Sequence, residues 1–261
     1  MKGKTVFISG ASSGIGRQLA LVLSANGAAV ILVARRQERL IALQQEITSK
    51  GGTAKIYVCD LEEEKARKTL IDEIIKTEKV DILVNNAGFG WYGYYADMPV
   101  NLIHSLVSVN IDAMLDLTRA LLPGMRERGY GHIINIGSIA GGFPNQGIAM
   151  YSASKAFMDA FSTALFREMR GSGVCVSVLR LGPVKTEFFD RAKTLENGRK
   201  VPAERFSIPV ERAVQGVLRL LKTRKRYLYV PKILGITRLV ELFFGGVIDL
   251  LGPLLLRRRT E

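Results

Sequence analysis

Three side chains suited to proton transfer lie close together in the sequence. Tyr151 and Lys155 are four residues apart in a segment with helical periodicity, so they share one face of a helix. A tyrosine hydroxyl has a pKa near 10, and an ammonium about 5 Å away, at an effective dielectric constant of about 20, favours the phenolate by about 3 kcal/mol, or about 2 pKa units. Ser138, thirteen residues before Tyr151, can hydrogen-bond a substrate oxygen and hold it near the phenol. The set suits proton exchange with an oxygen atom, although a tyrosine and a lysine at this spacing also occur by chance on many helices.

A glycine-rich turn near the N-terminus provides a second, independent signal. Gly10, Gly14 and Gly16 follow the first apolar run and precede the first helical segment, in the spacing G-x-x-x-G-x-G. Glycines let the backbone turn tightly and approach a pyrophosphate, whose charge is stabilised by the amides at the start of the helix. The alternative is a plain tight turn, but the position between a strand and a helix favours dinucleotide binding. We expect the other loop residues to contact the same group: Ser12, Ser13 and Ile15.

The end of the second apolar run indicates which dinucleotide is bound. An NAD enzyme places a carboxylate there to bind the ribose hydroxyls. This chain has Ala34 at that place, followed by Arg35 and Arg36. A guanidinium binds a 2′-phosphate in a charge-assisted pair. The sequence therefore favours NADP(H) over the alternative that both arginines are ordinary surface residues.

Two further strand ends carry candidate cofactor contacts. Asp60 and Leu61 follow the third run, where the carboxylate either caps the next helix or accepts a hydrogen bond from the adenine amino group. Asn86, Ala87 and Gly88 follow the fourth run, and the two small residues let the cofactor pass close to the backbone.

The elements that position these residues alternate between strands and helices. Predicted strands are 5–9, 29–34, 54–59, 82–85, 132–137, 174–181 and 227–230; predicted helices are 15–26, 36–50, 62–76, 101–128, 150–170 and 210–223. This order predicts an α/β fold, a doubly wound parallel sheet of about seven strands with helices on both faces, the Rossmann fold. We expect one cofactor-binding and catalytic domain over 1–230, with a polar lid at 186–207, and an apolar, basic tail at 231–261.

Together these motifs resemble the short-chain dehydrogenase/reductase family in its compact single-domain branch, over residues 4–230. The resemblance implies that Ser138, Tyr151 and Lys155 are the catalytic triad and that the glycine loop binds the cofactor. It also implies that Asn110 is a fourth catalytic member, holding a water that relays protons to Lys155.

The resemblance extends to the segment after the sixth strand, R-L-G-P-V-K-T. It implies cofactor contacts for Pro183, Val184 and Thr186, with the Thr186 hydroxyl bonded to the nicotinamide carboxamide. This sequence departs from the family pattern at Ser9, where threonine is usual, and at Leu181, where proline is usual. The serine keeps the hydroxyl, whereas Leu181 can alter the turn near the nicotinamide.

Composition excludes several other classes of protein. The 37 basic and 24 acidic residues give a formal net charge of +13, but no nucleic-acid-binding motif accompanies it. His104 and His132 lack Cys or His partners at metal-ligand spacing, so we expect no metal. Cys59 and Cys175 lie in strand-like runs and are expected to be buried thiols. No apolar signal-peptide core precedes the first strand, so we expect a cytoplasmic protein body.

Two apolar segments bear on substrate and partners. The run after Gly88 contains Phe89, Trp91, Tyr92, Tyr94 and Tyr95, which suits either an aromatic wall for a hydrophobic carbonyl or alcohol substrate or ordinary packing. Phe188 and Phe189, at the start of the lid, would add apolar cover. Candidate substrates include a long-chain ketone, a 3-oxoacyl derivative, a sphingoid ketone and a steroid.

The apolar tail has basic residues at both ends. It suits peripheral contact with an anionic membrane or subunit packing in a homo-dimer or homo-tetramer, and a disordered tail is the third alternative. The functional expectation is an NADP(H)-dependent ketone reductase. The alternatives are a non-catalytic NADPH-binding regulator or scaffold, and an epimerase or dehydratase that recycles its cofactor internally.

Overall fold

The computed structural model describes residues 1–257. Seven parallel strands form one sheet in the order β3-β2-β1-β4-β5-β6-β7. The strands are β1 (Thr5–Ser9), β2 (Ala29–Ala34), β3 (Thr53–Val58), β4 (Ile82–Asn85), β5 (Gly131–Ser138), β6 (Val174–Leu181) and β7 (Tyr227–Val230). The strand order reverses on either side of β1, so a crevice opens between the carboxyl ends of β1 and β4.

Helices cover both faces of this sheet. They are α1 (Gly14–Ala25), α2 (Gln37–Ser49), α3 (Glu64–Thr77), α4 (Val100–Val107), α5 (Ala113–Glu127), α6 (Ala149–Glu168), α7 (Glu187–Thr194), α8 (Val210–Thr223) and α9 (Thr237–Arg257). Side chains of α1, α2 and α8 pack on one face around Val6 and Ile8, and those of α3, α5 and α6 pack on the other around Phe7. The predicted doubly wound sheet is therefore confirmed, with near-continuous burial of its central strands.

The segment predicted as a single helix over 101–128 consists of two helices. A π-helical turn, Ser108–Asp112, joins α4 to α5 and places the buried Asn110 in the interruption. Apolar periodicity continues through the turn, so the sequence pattern alone did not reveal it. Single π-turns inside helices are frequent at functional sites.

The predicted lid at 186–207 is more ordered than its composition indicates. It contains α7 and a short 3₁₀ helix, Pro202–Phe206. The Thr186 side chain accepts a hydrogen bond from the Phe188 amide and so caps α7, while Phe189 is buried under it.

The tail leaves the sheet after β7 through a 3₁₀ turn, Lys232–Ile236, and continues as α9. Among the side chains of this helix that the structure describes, all of them before position 251, six apolar ones are between 54% and 76% exposed: Leu239, Leu242, Phe243, Phe244, Val247 and Leu250.

One helical segment among the described residues, Val100–Glu127, is long and apolar enough to cross a membrane by length and composition. Its buried side chains include Met114, Leu117 and Leu121, and the last two belong to the core on the α3 face of the sheet.

Candidate active site

A cavity of about 630 Å³ lies at the carboxyl ends of the strands. Eighteen of the residues predicted to form the site line it: Gly10, Ser12, Ser13, Gly14, Ile15, Arg35, Arg36, Asp60, Leu61, Asn86, Ala87, Gly88, Ser138, Tyr151, Lys155, Pro183, Val184 and Thr186. Gly16 and Asn110 lie behind the lining. The fold therefore brings residues from the ends of six strands to one cleft.

The glycine loop is shaped for close backbone approach. Gly10 has φ +67°, and a Cβ atom there would lie 2.9 Å from the Ala87 Cα atom. A Cβ atom at Gly16 would collide with the Gly10 carbonyl oxygen. The Ser13 hydroxyl does not cap α1: it accepts no hydrogen bond from the backbone amides in the first turn of this helix. These features fit a pyrophosphate at the helix N-terminus.

Hydrogen bonds hold this loop to the end of β4. The Asn86 Nδ2 atom donates to the carbonyl oxygens of Ser9 (2.9 Å) and Gly10 (3.1 Å). The Ser9 hydroxyl accepts from the amides of Asn86 and Ala87, each at 3.0 Å. Ser9, which departs from the family's usual threonine, therefore keeps the hydroxyl that fixes the two loops together.

Arg36, predicted to bind a 2′-phosphate, contacts the glycine loop. Its Nε atom donates to the Ser12 hydroxyl at 3.1 Å, its Nη2 atom to the Ser13 hydroxyl at 2.6 Å, and its Nη1 atom to Glu187 at 2.8 Å. Arg35 points elsewhere, with its Nη1 atom 3.4 Å from the Asp60 carboxylate. The two arginines predicted as a pair thus have different surroundings.

Asp60 does not cap the helix that follows it. Its Oδ1 atom accepts a hydrogen bond from the Glu62 amide at 3.1 Å, whereas α3 begins at Glu64. The carboxylate therefore stabilises the turn after β3, which leaves the adenine contact as the prediction for its role.

The residues predicted to transfer protons lie at the other end of the cleft. Ser138 ends β5, and Tyr151 and Lys155 occupy the first two turns of α6. The Lys155 Nζ atom donates to the Ile136 carbonyl oxygen at 2.9 Å and lies 5.8 Å from the centre of the Tyr151 ring. The predicted geometry, with the ammonium on the same helix face as the phenol, is therefore present.

The predicted direction of the Tyr151 pKa is wrong for the protein chain alone. Burial raises the pKa of Tyr151 to about 12, although a hydrogen bond with Ser138 lowers it in part. Burial also lowers the pKa of Lys155 to about 8. A distance between two charges takes no account of desolvation, which disfavours both charged forms and here raises the pKa of Tyr151 by more than the Ser138 hydrogen bond lowers it.

Asn110 uses both polar atoms of its side chain to position neighbouring groups. The Oδ1 atom accepts from the Phe89 amide at 3.0 Å, and the Nδ2 atom donates to the Phe89 carbonyl at 3.0 Å and to the Ser154 hydroxyl at 3.1 Å. The loop that follows β4 is thereby held against α6. The relay of protons through a water at Asn110 stays a prediction.

The aromatic run after Gly88 contributes only part of the predicted wall. Phe89 and Trp91 line the cavity, and the indole nitrogen of Trp91 donates to the Glu196 carbonyl oxygen at 3.0 Å. Tyr92 is buried outside the lining, and Tyr94 and Tyr95 are exposed. The last three therefore do not form the wall.

Phe188 and Phe189 line the cavity as predicted, whereas Phe143, Ile139 and Arg191 are lining residues that were not found from the sequence. Phe188 packs with its ring centre 5.5 Å from that of Tyr151, and Phe143 and Ile139 add apolar surface. Arg191 lies over the Phe89 ring at 4.4 Å and brings a further cation to the cavity wall. Glu187 and Arg191 are four residues apart in the lid. This spacing, which places both on one face of a helix, was the sequence signal that could have identified them as lining residues.

No group of three or more His, Cys, Asp and Glu side chains suited to a metal ion is found among residues 1–257. Burial lowers the pKa of His132 to about 3, and this imidazole is 2.8 Å from the Ser177 hydroxyl inside the sheet. Cys59 and Cys175 are buried free thiols.

Comparison with known proteins agrees with this arrangement. The chain belongs to the short chain dehydrogenase family, whose pattern it matches over residues 4–197. It is 37% identical over 193 residues to a short chain dehydrogenase of Pseudocercospora fijiensis, covering 72% of this chain and 62% of that protein. It is 36% identical over 182 residues to a very-long-chain 3-oxoacyl-CoA reductase of Laccaria bicolor, covering 68% of this chain and 54% of that protein. The chain thus spans between half and two thirds of the length of these relatives.

A solved structure extends the likeness over nearly the whole chain. The short-chain dehydrogenase of Sphingobium yanoikuyae in complex with NADPH superposes with a TM-score of 0.83 at 28% identity, covering 95% of each chain.

Proposed function

We propose that the protein is an NADP(H)-dependent oxidoreductase that reduces the carbonyl group of a hydrophobic compound to an alcohol. The observation that carries the proposal is the single cleft with Arg36, Ser12 and Ser13 at one end and Tyr151 and Lys155 at the other. The NADPH complex of the Sphingobium enzyme and the 3-oxoacyl-CoA reductase activity of the Laccaria relative support it.

The glycine loop and the start of α1 would hold the pyrophosphate, and Arg36 with Ser12 and Ser13 would hold the 2′-phosphate. Thr186, at the start of the lid, would bind the nicotinamide carboxamide. A Cβ atom at Gly14 would lie 3.1 Å from the Thr186 Cγ2 atom, so the loop and the lid already meet across the cleft. When bound, NADPH supplies the hydride that is added to the carbonyl carbon.

The protein supplies the proton for the carbonyl oxygen. With a pKa raised to about 12, the Tyr151 hydroxyl is protonated at neutral pH, which is the form required of a proton donor. Ser138 hydrogen-bonds the carbonyl oxygen and holds it close to the phenol. Lys155 is largely protonated at pH 7 and stabilises the phenolate as the proton leaves.

The substrate end of the cleft favours an apolar compound. Phe89, Trp91, Phe143 and Phe188 line it, and large aromatic side chains bind apolar groups by excluding water. We therefore expect a long-chain ketone or a 3-oxoacyl derivative to be reduced in preference to a small polar ketone.

The test is NADPH oxidation with a panel of apolar ketones, 3-oxoacyl thioesters and sphingoid ketones. Stoichiometric loss of NADPH with formation of the alcohol is the expected result. Absence of turnover across the panel despite NADPH binding would favour the non-catalytic regulator. A changed substrate with no net NADPH consumption would favour the epimerase or dehydratase.

We further propose that the body of the protein is cytoplasmic and that the tail contacts an anionic membrane. The exposed apolar side chains of α9 and seven basic against two acidic residues between positions 225 and 259 support this partner. The base of the tail lies beside the cleft, since a Cβ atom at Gly182 would lie 2.5 Å from a methyl group of Leu234. A substrate leaving the bilayer would thus have a short path to the site.

Co-sedimentation with vesicles tests this contact. Binding to phosphatidylserine vesicles but not to phosphatidylcholine vesicles is expected, and Phe243→Ser with Phe244→Ser should reduce it. A different result would assign α9 to a subunit contact. In that case the wild-type chain binds neither kind of vesicle, and the double variant Phe243→Ser, Phe244→Ser converts a dimer or tetramer to a smaller species.

A further inference from the structure

The lid helix carries a carboxylate that occupies the binding groups proposed for the 2′-phosphate. The Glu187 Oε2 atom accepts from Arg36 Nη1 at 2.8 Å, and its Oε1 atom accepts from Arg39 Nη1 at 2.5 Å. Glu187 is the first residue of α7 and lies 151 positions from Arg36 in the chain. This contact joins the lid to the cofactor end of the cleft.

Among the described residues, each nitrogen of the Arg36 guanidinium has one hydrogen-bond partner. The Ser12 hydroxyl accepts a hydrogen bond from Nε, the Ser13 hydroxyl accepts one from Nη2, and the Glu187 carboxylate accepts one from Nη1. The two serine hydroxyls accept from the guanidinium and keep their own hydrogens for an incoming phosphate. Glu187 has no hydrogen to offer, because its two arginine partners hold its pKa below the usual range and keep it ionised at neutral pH.

We infer that Glu187 is a specificity-determining residue that competes with the 2′-phosphate for Arg36 and Arg39 and so weakens the binding of NADPH relative to NADH. A 2′-phosphate bound by Arg36 would lie next to a carboxylate already on the same guanidinium, and like charges at such a separation repel. NADH lacks the 2′-phosphate and does not meet this repulsion. The inference rests on the proposed 2′-phosphate site.

The lid can release Glu187 without unfolding. The Thr186 hydroxyl still caps α7 and the buried Phe189 still anchors it when the carboxylate moves away. Glu187 and both arginines are about half exposed, so solvent and salt screen the ion pairs. The competition is therefore a modest effect on affinity.

The test compares the dissociation constants of NADPH and NADH in Glu187→Gln and wild type, measured by fluorescence titration without substrate. The amide keeps the size of the side chain and removes its charge. We expect NADPH to bind about three- to tenfold more tightly, and NADH to change by less than about twofold.

The matched control is Asp190→Asn, which removes a charge from the same helix at a side chain that pairs with Lys193. It should leave both dissociation constants within about twofold. The gain from Glu187→Gln should also be smaller in an Arg36→Ala background, because Arg36 is one of the two arginines for which the carboxylate competes.

Unchanged or weaker NADPH binding in Glu187→Gln, or an equal gain for both cofactors, would overturn the inference. A weaker binding would mean that Glu187 clamps the lid over the cofactor. If Arg36→Ala itself leaves the preference for NADPH intact, the proposed 2′-phosphate site fails, and this result is separate from the behaviour of Glu187.

Discussion

The buried Tyr151 and Lys155 predict a specific pH dependence of carbonyl reduction. Lys155 has a pKa lowered to about 8, and Tyr151 has one raised to about 12. Below pH 7 both groups carry their protons, which is the state needed for donation to a carbonyl oxygen. As the pH rises through about 8, the ammonium loses its charge while the phenol keeps its proton.

The size of the effect follows from the distance between the two groups. The Lys155 Nζ atom is 5.8 Å from the centre of the Tyr151 ring. At an effective dielectric constant of about 20, an ammonium at this distance stabilises the developing phenolate by about 3 kcal/mol, about a hundredfold in rate. The reduced nicotinamide ring is uncharged and adds no compensating positive charge. At pH 9.5 only about 3% of Lys155 would be protonated, and the unprotonated form would keep about a hundredth of the full rate, so the rate should fall by about twentyfold from its value at pH 7.

The assay is kcat/KM for a ketone at saturating NADPH from pH 6 to 9.5, in a buffer series of constant ionic strength. The matched variant is Lys155→Arg, whose guanidinium keeps its charge over this range. It should be slower because of its different shape, and its profile should be flat. A flat wild-type profile, or the same inflection in Lys155→Arg, would refute the role assigned to the ammonium.

Two further predictions concern cofactor choice and stability. Arg36→Ala should weaken NADPH by about ten- to a hundredfold, because it removes a charge-assisted pair at a half-exposed site, and should leave NADH nearly unchanged; an equal loss for both cofactors in isothermal titration would contradict the assignment. Asp159→Ala should lower the free energy of unfolding by about 3–5 kcal/mol, because it leaves Arg180 buried without the carboxylate that it contacts at 2.6 and 2.7 Å. Urea denaturation with a loss below about 1 kcal/mol would show that the buried guanidinium is satisfied by other groups.

Local motifs made much of the site predictable from the sequence. The glycine loop and Arg36 each follow a recognisable strand, and Tyr151 and Lys155 lie on one helix. Parallel strands bring their carboxyl ends to one edge of the sheet, where these residues meet. Features that depend on tertiary contacts were not predictable in this way. The partnership of Glu187 with Arg36 joins positions 151 residues apart, and no local pattern encodes it.

Burial explains two of the remaining differences between expectation and structure, and helical periodicity explains a third. The direction of the Tyr151 pKa was wrong because a distance between charges does not reveal how much water the fold excludes. Tyr94 and Tyr95 belong to an aromatic cluster in the sequence, yet they face solvent, because composition does not fix which side of a loop is buried. The π-turn around Asn110 was missed because its apolar periodicity matches that of a continuous helix.

The central claim, proton donation by Tyr151, is tested most directly by Tyr151→Phe. The variant keeps the ring that packs against Phe188 and removes only the hydroxyl. Turnover of a ketone accepted by the wild type should fall by about a hundredfold to ten-thousandfold, with the NADPH dissociation constant unchanged. Turnover at the wild-type rate would contradict the account and remove Tyr151 from the catalytic role.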